Sequence, residues 1–568
     1  MDTLQQTTKT ALLFCVVALT GCGSIVLQDN SARTVVAGWM PGPSKPAATP
    51  VISDQSVVFP TLEELRSLQA KPQAEGELAS KLEALWHTPI VSNAAARREQ
   101  PVPVAYNDFM GRFLRFATWN IEKSLKIDAA VTALTSAAGY EALIDGQAAP
   151  PESERWRSMQ RQRERLSQVD ILCLQEMDIG VSRSGYLDAA RRLAEAMGMN
   201  VAYGIQYLEI DPALTAGADP AMTKGAFGSA VLSRYPIKHV ELRPLRSKPY
   251  DWYEGELARF GPLEASRRVG SEVVFKNVIG REMKVGNRNY FRVDLHVPGL
   301  PEDTLSIINI HLEIKCPPEG RHEQIREILE EIRPIRHPVI MAGDFNSVSS
   351  DLSNVYTRKL VVNQLKDPYT YVAIGARIGL GIGNVLTGGR WVVNASKNFH
   401  SPLAPHLPVL LPNRTKLMLN TIRDFEFEDG ARFDFRGERE YSINGSSSKL
   451  ANSNEKAVKG QVPSFTVRRP IGPLGAYRLD WIFVKRSADP NVEGQLTPMF
   501  GETLVDFNEF LREPISDHRP LIVDLAMGDW QHPDLSTSPT APTRGIPDWH
   551  RWQPRPRLAG SQQLRQEE

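Results

Sequence analysis

The chain has 568 residues, which leaves room for one large domain or for two or three ordinary ones. Its 66 basic and 66 acidic side chains argue against a protein built for bulk nucleic-acid binding, which usually carries a basic surplus, although a local basic groove stays open. The 4 cysteines are too few for a disulfide framework and lack the spacing of zinc ligands.

The N-terminus has the pattern of an export signal. Lys9 precedes an apolar run over residues 11–19, which is too short to span a bilayer as a helix. The run ends in Leu19-Thr20-Gly21-Cys22, which resembles the lipobox of bacterial lipoproteins. The resemblance implies that 1–22 is a signal peptide cleaved before Cys22, that Cys22 is lipidated, and that the protein is anchored to a membrane of the bacterial cell envelope, on the periplasmic or outer surface. The alternative is an ordinary secretory signal with a chance cysteine.

Residues 23–108 are predicted to form a Pro-rich tether followed by a helical segment. The tether contains PGPSKPAATP, a composition that favours an extended chain. Residues 61–87 predict one helical stretch, capped by Thr61 with Glu64 three residues later. The pattern leaves open whether this segment packs on the main domain or serves as a spacer. No later segment reaches ~18 uninterrupted apolar residues, so the sequence predicts no membrane-spanning helix.

From about residue 109 the sequence alternates between apolar runs and helical patterns. The helices are predicted over 187–198 and 319–333, and three insertions over 124–169, 236–303 and 350–477. Such alternation predicts an α/β (α+β) domain over 109–526. Beyond it, 527–568 predicts a Pro-rich C-terminal tail. The apolar runs are predicted as strands over 113–120, 170–176, 227–233, 305–311, 338–344, 478–484 and 520–525.

Polar residues stand at the ends of these predicted strands. Taken singly, each is typical of a cap or a turn. Together they are metal-binding and acid–base side chains that would meet at one edge of a sheet, which indicates a site. They are Asn120, Glu176, His311, Asp344, Asn346, Asp480, Asp517 and His518.

The motifs around these residues resemble the endonuclease/exonuclease/phosphatase superfamily, which includes pancreatic-type deoxyribonucleases, neutral sphingomyelinases and inositol-polyphosphate phosphatases. The resemblance implies a four-layer αββα sandwich of two packed mixed β-sheets flanked by helices, here with long insertions, and hydrolysis of phosphate esters at one edge. The motifs occur in the family's order as TWNI (118–121), LQE (174–176), GSAVLSRYPI (228–237), NIHLE (309–313), GDFN (343–346), LDWIF (479–483) and SDHRPL (516–521).

The resemblance also implies a metal site. Asn120 and Glu176 match the positions that hold a divalent metal, and Asp517 matches a further metal-site carboxylate. Amide and carboxylate oxygens are hard ligands, which favours Mg²⁺, with Mn²⁺ as the alternative.

The remaining matched residues are implied to act on the phosphate and the attacking water. His311 and His518 are expected to face the phosphate, and Asp480 to fix the tautomer of His518. Asp344 is expected to orient or deprotonate the water, and Asn346 to donate to the phosphoryl oxygens.

The sequence leaves the substrate open. The expected partner is a phosphodiester, either a nucleic acid or a lipid headgroup, and no protein partner is inferable. A nuclease needs a basic groove; the Arg-rich helical pattern at 154–166 and Arg468-Arg469 are candidates, although the former is typical of a solvated face. For a phospholipase C or sphingomyelinase, the apolar segment 400–412 is the nearest candidate for membrane entry. Inositol-phosphate hydrolysis and an inactive binding module are further candidate functions, and the binding module is disfavoured because every expected position is filled.

Overall fold

The computed structural model describes residues 57–95, 105–107, 111–257, 282–347, 415–434, 464–471, 474–486 and 495–527. The predicted signal peptide with Cys22, the Pro-rich tether, much of the insertion 350–477 with its segment 400–412, and the C-terminal tail from 528 lie outside the described residues. In the described part of the chain, no helix combines the length and apolar character that crossing a membrane requires.

The strands are numbered in chain order. They are β1 (Ile90–Ser92), β2 (Ala105–Asn107), β3 (Gly111–Asn120), β4 (Ile171–Ile179), β5 (Asn200–Glu209), β6 (Ala226–Ser233), β7 (Ile237–Pro244), β8 (Lys284–Gly286), β9 (Asn289–His296), β10 (Thr304–His311), β11 (Val339–Asp344), β12 (Arg432–Phe433), β13 (Phe465–Ile471), β14 (Leu474–Tyr477), β15 (Asp480–Arg486), β16 (Leu496–Thr503) and β17 (Leu521–Met527).

The α-helices are numbered in the same way. They are α1 (Leu62–Ala70), α2 (Gly76–His87), α3 (Ile127–Thr135), α4 (Ala137–Leu143), α5 (Glu154–Ser167), α6 (Ala189–Met197), α7 (Pro212–Thr215), α8 (Glu254–Leu257), α9 (Pro318–Ile332), α10 (Thr415–Asp424) and α11 (Val505–Glu509). Short 3₁₀ turns cover Glu122–Ser124, Ser182–Ser184 and Pro301–Asp303.

The strands form two mixed sheets and a small ribbon. The first sheet has the order β1-β5-β6-β4-β3-β17-β16, with β2 added beside β3 and β8 beside β5. The second has the order β12-β15-β11-β10-β9-β7, and β13 and β14 form the ribbon. Each apolar run predicted as a strand forms one, and the two predicted helices are α6 and α9.

Three apolar cores separate four layers. One core lies between the sheets and combines Phe116 and Val231 of the first sheet with Val293 and Ile340 of the second. A second core covers the outer face of the first sheet with helices that include α3 and α6. A third covers the second sheet with α9 and α10. This is the predicted helix–sheet–sheet–helix sandwich, and it places the ends of the central strands of both sheets at a common rim.

The N-terminal helical segment packs on the domain, which settles what the sequence left open. Leu65, Leu68, Leu82 and Leu85 belong to the core on the first sheet. The prediction of one helix over 61–87 is wrong, because α1 ends at Ala70 and α2 starts at Gly76. Pro72 explains the break, since the residue before a proline is driven out of the helical conformation. The predicted Thr61 cap with Glu64 is confirmed.

The segment 236–303 is not an insertion in the described part. Its strands β7 and β9 are integral members of the second sheet, with Ile237 paired to Leu295 and Val240 to Val293. In β7 the buried residues Ile237, Val240 and Leu242 are separated by polar, at least partly exposed residues, so the strand is hard to see in the sequence. From the insertion 350–477, helix α10 packs through Met418 and Ile422 onto the second sheet's outer core.

The Arg-rich helix α5 is only partly a solvated face. Arg165 is buried, with its Nη1 2.6 Å from Oε2 of Glu502 on β16, and Arg161 pairs with the same carboxylate. The Nε of Arg163 donates to the Ala133 carbonyl. Arg161 and Arg165 thus hold α5 onto β16 and Arg163 holds it onto α3, so these arginines are not available as a basic groove.

Candidate active site

Three of the predicted site residues lie side by side on the second sheet. His311 at the end of β10 is in register with Asp344 of β11, and Asp344 is in register with Asp480 of β15. Gly343 makes this row possible, because its φ is +141° and a Cβ there would lie 2.0 Å from the Ile310 carbonyl oxygen. Only glycine permits so close a backbone approach.

The matching row on the first sheet consists of Asn120 and Glu176. Glu176 lies inside β4, which continues to Ile179 beyond the end predicted from the sequence. The bulge between Leu174 and Met177 and the positive φ of Glu176, +58°, redirect its carboxylate. The Nδ2 of Asn120 donates to Glu176 Oε1 at 3.3 Å and to Asp344 Oδ2 at 3.0 Å. Asn120 therefore joins the rims of the two sheets.

The loop before β17 brings His518 to the same place. The Ser516 hydroxyl donates to the Asn120 carbonyl at 2.7 Å, and the Trp119 indole N–H donates to the His518 carbonyl at 3.0 Å. The imidazole Nδ1 of His518 lies 2.8 Å from Asp480 Oδ2. The sequence-predicted Asp480–His518 pairing is therefore present as a hydrogen bond.

The two histidines face a shared gap next to Asp344. Oδ2 of Asp344 lies 4.0 Å from Nε2 of His311 and 4.0 Å from Nε2 of His518. Nε2 of His311 lies 3.9 Å from Oε1 of Glu176. These distances exceed a hydrogen bond, so the ring nitrogens point at a space where a small polar group can bind to several side chains at once.

The two histidines have opposite charge preferences. Burial lowers the pKa of His518, but the adjacent carboxylate of Asp480 outweighs it and holds this pKa well above its usual value. Burial and the positive charges of Arg288 and Lys284 keep the pKa of His311 well below its usual value. At neutral pH the site therefore holds a cationic His518 and a neutral His311.

Asp344 and Asn346 form a tight turn after β11. Asn346 has a positive φ of +47°, its backbone N–H donates to Asp344 Oδ1 at 2.8 Å, and its Nδ2 donates to the Leu312 carbonyl at 2.8 Å. Burial, and next the negative charge of Asp480, raise the pKa of Asp344 to about 7. A carboxylate with this pKa can both accept and release a proton near neutrality.

Glu122 belongs to the site and was missed in the sequence. Its backbone N–H donates to Asn120 Oδ1 at 3.1 Å, and its Oε2 accepts from the Asp517 backbone N–H at 3.1 Å. Burial, and then the charges of Asp517 and Glu176, raise the pKa of Glu122 to about 8. The available signal was an acid two residues after the strand-terminal Asn120.

A family model matches the chain over this whole region. Residues 117–518, more than half of the chain, match the model described as the Endonuclease/Exonuclease/phosphatase family. The chain belongs to the endonuclease/exonuclease/phosphatase family. Members of this family are hydrolases that act on phosphate esters, and the protein is a phosphoesterase of this family.

Solved structures are similar to this chain only at low sequence identity and low TM-score. An endonuclease/exonuclease/phosphatase from Beutenbergia cavernae has 16% identity and a TM-score of 0.36, with 73% of this chain and 72% of that chain covered. The human Nocturnin catalytic domain with bound sulfate has 14% identity and a TM-score of 0.32, over 73% and 94%. The Neisseria 3′ phosphatase NExo bound to a product DNA hairpin has 14% identity and a TM-score of 0.32, over 72% and 98%. Similarity this low transfers no activity to this chain. No curated protein matches it.

The endonuclease/exonuclease/phosphatase family typically uses a divalent metal, and the first-sheet rim has the chemistry to hold one. Glu122, Glu176 and Asp517 crowd around Asn120, and burial together with the charges of Asp517 and Glu176 raises the pKa of Glu122 despite the opposing effect of His518. Carboxylate and amide oxygens are hard donors that suit Mg²⁺ or Mn²⁺. These residues therefore fit a divalent cation.

A group of two acids and a histidine lies at the second-sheet rim. Ligand atoms of Asp344, Asp480 and His518 all lie within 4.8 Å of one another. Since Asp480 already accepts the Nδ1 proton of His518, which stays protonated, this group suits proton transfer and phosphate binding better than metal binding. All eight sequence-predicted residues thus lie at the edge of the sandwich where the two rims meet, and Cys22 lies outside the described residues.

Proposed function

We propose that the protein is a metal-dependent phosphodiesterase of the nuclease type. The observation that carries this proposal is the gap bounded by Asp344, His311 and the Asp480–His518 pair, directly beside the acidic group around Asn120. A phosphodiester is an anion, so water attacks it readily only when its oxygens are neutralised and the water loses a proton. The two rims supply these functions from opposite sides.

Each side chain has a distinct task in this mechanism. Asp344 takes the proton of the attacking water, which its pKa of about 7 permits. The cationic His518 donates from Nε2 to a phosphoryl oxygen, while Asp480 keeps the other ring nitrogen protonated. His311 is neutral, and its Nε2 faces the gap where it can form a hydrogen bond with the phosphate. Asn346 retains a second amide hydrogen beyond the one given to Leu312, which is free to meet a phosphoryl oxygen.

Asn120, Glu122, Glu176 and Asp517 would hold the metal. A bound Mg²⁺ or Mn²⁺ would neutralise charge on the phosphate as a Lewis acid. The contribution of the protein at this rim is to hold the acids together despite their repulsion, through the Asn120 amide and the hydrogen bonds of Glu122 to Asn120 and Asp517.

The experiment that tests the reaction is release of p-nitrophenol from bis-p-nitrophenyl phosphate. Activity is expected with Mg²⁺ or Mn²⁺, and chelator should remove it. Glu176→Gln should be less active at the same metal concentration and should recover only part of the activity when Mg²⁺ or Mn²⁺ is raised, while Glu195→Gln, which changes an exposed acid on α6, should behave as wild type. Activity that persists in chelator would contradict the metal role.

Substrate choice requires a panel under the same conditions. Plasmid DNA and RNA are expected to be cleaved under the nuclease proposal. Cleavage of sphingomyelin or phosphatidylcholine alone would move the assignment to a phospholipase C or sphingomyelinase, and cleavage of inositol phosphates alone to a phosphatase of that class. No release from any of them would leave the inactive binding module.

We further propose that the protein is a lipoprotein of the bacterial cell envelope. The support is the apolar run 11–19 ending in Leu19-Thr20-Gly21-Cys22, with the Pro-rich tether behind it. Metabolic labelling with a radioactive fatty acid should mark the wild-type chain and not Cys22→Ala. Labelling that survives this substitution would refute lipidation at Cys22.

A further inference from the structure

Ser464 and Phe465 stand at the end of the long insertion, where the chain enters β13. No motif that pointed to the site includes them. They nevertheless lie between the two chain segments that carry Asp480 and His518, and both side chains are buried, Ser464 to 0% exposure.

Ser464 holds the segment that carries Asp480. Its hydroxyl oxygen accepts hydrogen bonds from the backbone N–H groups of Leu479 and Asp480, each at 3.2 Å. On the other side, the Phe345 N–H donates to the Leu479 carbonyl at 3.0 Å. The start of β15 is therefore held on two sides, by Ser464 on one and by Phe345 on the other.

The same two residues hold the segment that carries His518. The Ser464 carbonyl accepts from the Arg519 N–H at 2.7 Å, and Phe465 forms an isolated antiparallel bridge with His518. The Phe465 ring packs on the imidazole, with centroids 5.2 Å apart. An apolar ring in this position limits rotation of the imidazole and keeps water from one of its faces.

We propose that Ser464 and Phe465 are positioning residues that hold the Asp480–His518 pair in its hydrogen-bonded arrangement. This inference rests on the proposed role of that pair in phosphate-ester hydrolysis. Removing the Ser464 hydroxyl takes away the hydrogen-bond acceptor of the buried N–H groups of Leu479 and Asp480, next to the Asp480 side chain. Small displacements of a catalytic group lower the rate strongly, so the effect should reach the reaction through His518.

A double-mutant cycle on bis-p-nitrophenyl phosphate tests this route. Ser464→Ala should lower kcat by roughly 10- to 100-fold with little change in KM, because misplacement of a reacting group acts on the transition state. Ser464→Thr keeps an acceptor oxygen and should restore most of the loss. In the His518→Ala background, Ser464→Ala should have no further effect. Ser184→Ala, a change at a buried serine that bonds the Val181 carbonyl, is the matched control.

The cycle separates positioning from a general structural role. If Ser464→Ala lowers kcat by the same factor with and without His518, the residue does not act through the pair and the proposal fails. Phe465→Leu is the second variant in case Ser464→Ala does not fold. It preserves the Ser464 contacts, removes the aromatic cover, and should lower kcat by a smaller factor that also disappears in the His518→Ala background.

Proton NMR decides the same point without any activity. The proton between His518 Nδ1 and Asp480 Oδ2 should give a far-downfield resonance, assigned by its loss in Asp480→Asn. Ser464→Ala should shift or broaden this signal, and Ser464→Thr should keep it. An unchanged signal in Ser464→Ala would overturn the positioning role. If the wild type shows no phosphodiesterase activity but the resonance responds to Ser464→Ala and Ser464→Thr as expected, the proposed function is contradicted and the positioning role is not.

Discussion

The two rims of the sandwich occupy equivalent places at the ends of central strands, yet their electrostatics differ. On the first sheet, Glu122, Glu176 and Asp517 gather around Asn120, and the pKa of Glu122 rises to about 8. On the second sheet, Asp480 is matched by the cation of His518, which approaches from the loop before β17. The first rim concentrates acidic side chains, whereas on the second the acid Asp480 is paired with a cation that the protein itself supplies. Under the proposed function, a bound divalent cation would balance the acids of the first rim.

The largest effects are expected from the second rim. Asp344→Asn removes the proton acceptor and His518→Ala the cationic donor, so each should lower kcat by about 10³- to 10⁴-fold. Circular dichroism and thermal unfolding should show a folded protein in both cases. Asp128→Asn and His87→Ala change exposed residues and serve as controls. Near-wild-type turnover by purified Asp344→Asn would refute the proposed mechanism.

The first rim should respond to metal. Glu176→Gln removes a carboxylate proposed as a metal ligand, and the loss of kcat/KM should exceed the roughly 100-fold typical of removing an outer partner of a metal site. Raising Mg²⁺ or Mn²⁺ should recover part of it, whereas metal should not rescue Asp344→Asn. Titration of both variants with metal measures this contrast. Equal rescue of the two would erase the proposed division between the rims.

A backbone change should disturb the second rim without altering any charge. Gly343→Ala places a Cβ 2.0 Å from the Ile310 carbonyl oxygen and so strains the register of β10 and β11. The free energy of unfolding should fall by about 2 kcal/mol, within the range for overpacked sites. Gly146→Ala, where an added Cβ meets nothing within 4 Å, is the control. Urea denaturation that gives both variants the same midpoint would show that the close approach is not needed.

The smallest predicted effect is a stabilisation. The pKa of Glu122 is raised on folding, so its ionised form opposes folding at pH values above its unfolded-state pKa, and this loss grows until pH passes about 8. Glu122→Gln should therefore raise the free energy of unfolding at pH 7 in chelator by about 1 kcal/mol, after allowance for its partial exposure. At pH 4 the gain should vanish. A destabilised variant at pH 7 would mean that Glu122 carries a favourable charge interaction.

Much of the fold was predictable because its central strands are strongly apolar. β3, β4, β10, β11 and β17 are buried along most of their length, so their positions are visible in the sequence. The site residues Asn120, His311 and Asp344 are visible because they end β3, β10 and β11. The lateral row of His311, Asp344 and Asp480 follows once those strands are neighbours. Their spacing could not have been obtained from the sequence alone, because it depends on sheet register.

The missed features have local physical causes. β5 is buried but contains Gly204 and Gln206, and β7 mixes buried apolar residues with partly exposed polar ones, so neither resembles a continuous apolar strand. Glu122 follows Asn120 in a turn with positive φ at Glu122 and Lys123, a conformation that the residue types there do not predict. The partners of Arg165 are Glu502 on β16 and Asp524 on β17, both more than 300 residues away along the chain. Long-range pairing of this kind leaves no local trace.

The position of β17 has a consequence for how the molecule is made. β17 is the last strand of the described residues and lies between β3, near the start of the domain, and β16; it pairs with Phe113 to Thr118 of β3. Synthesis proceeds from the N-terminus, so the first sheet is left with an open edge, and His518 is absent, until nearly all of the domain has emerged. Contacts this distant in sequence slow folding. A chain cut before Leu521 should expose the β3 edge to pairing with other chains and aggregate.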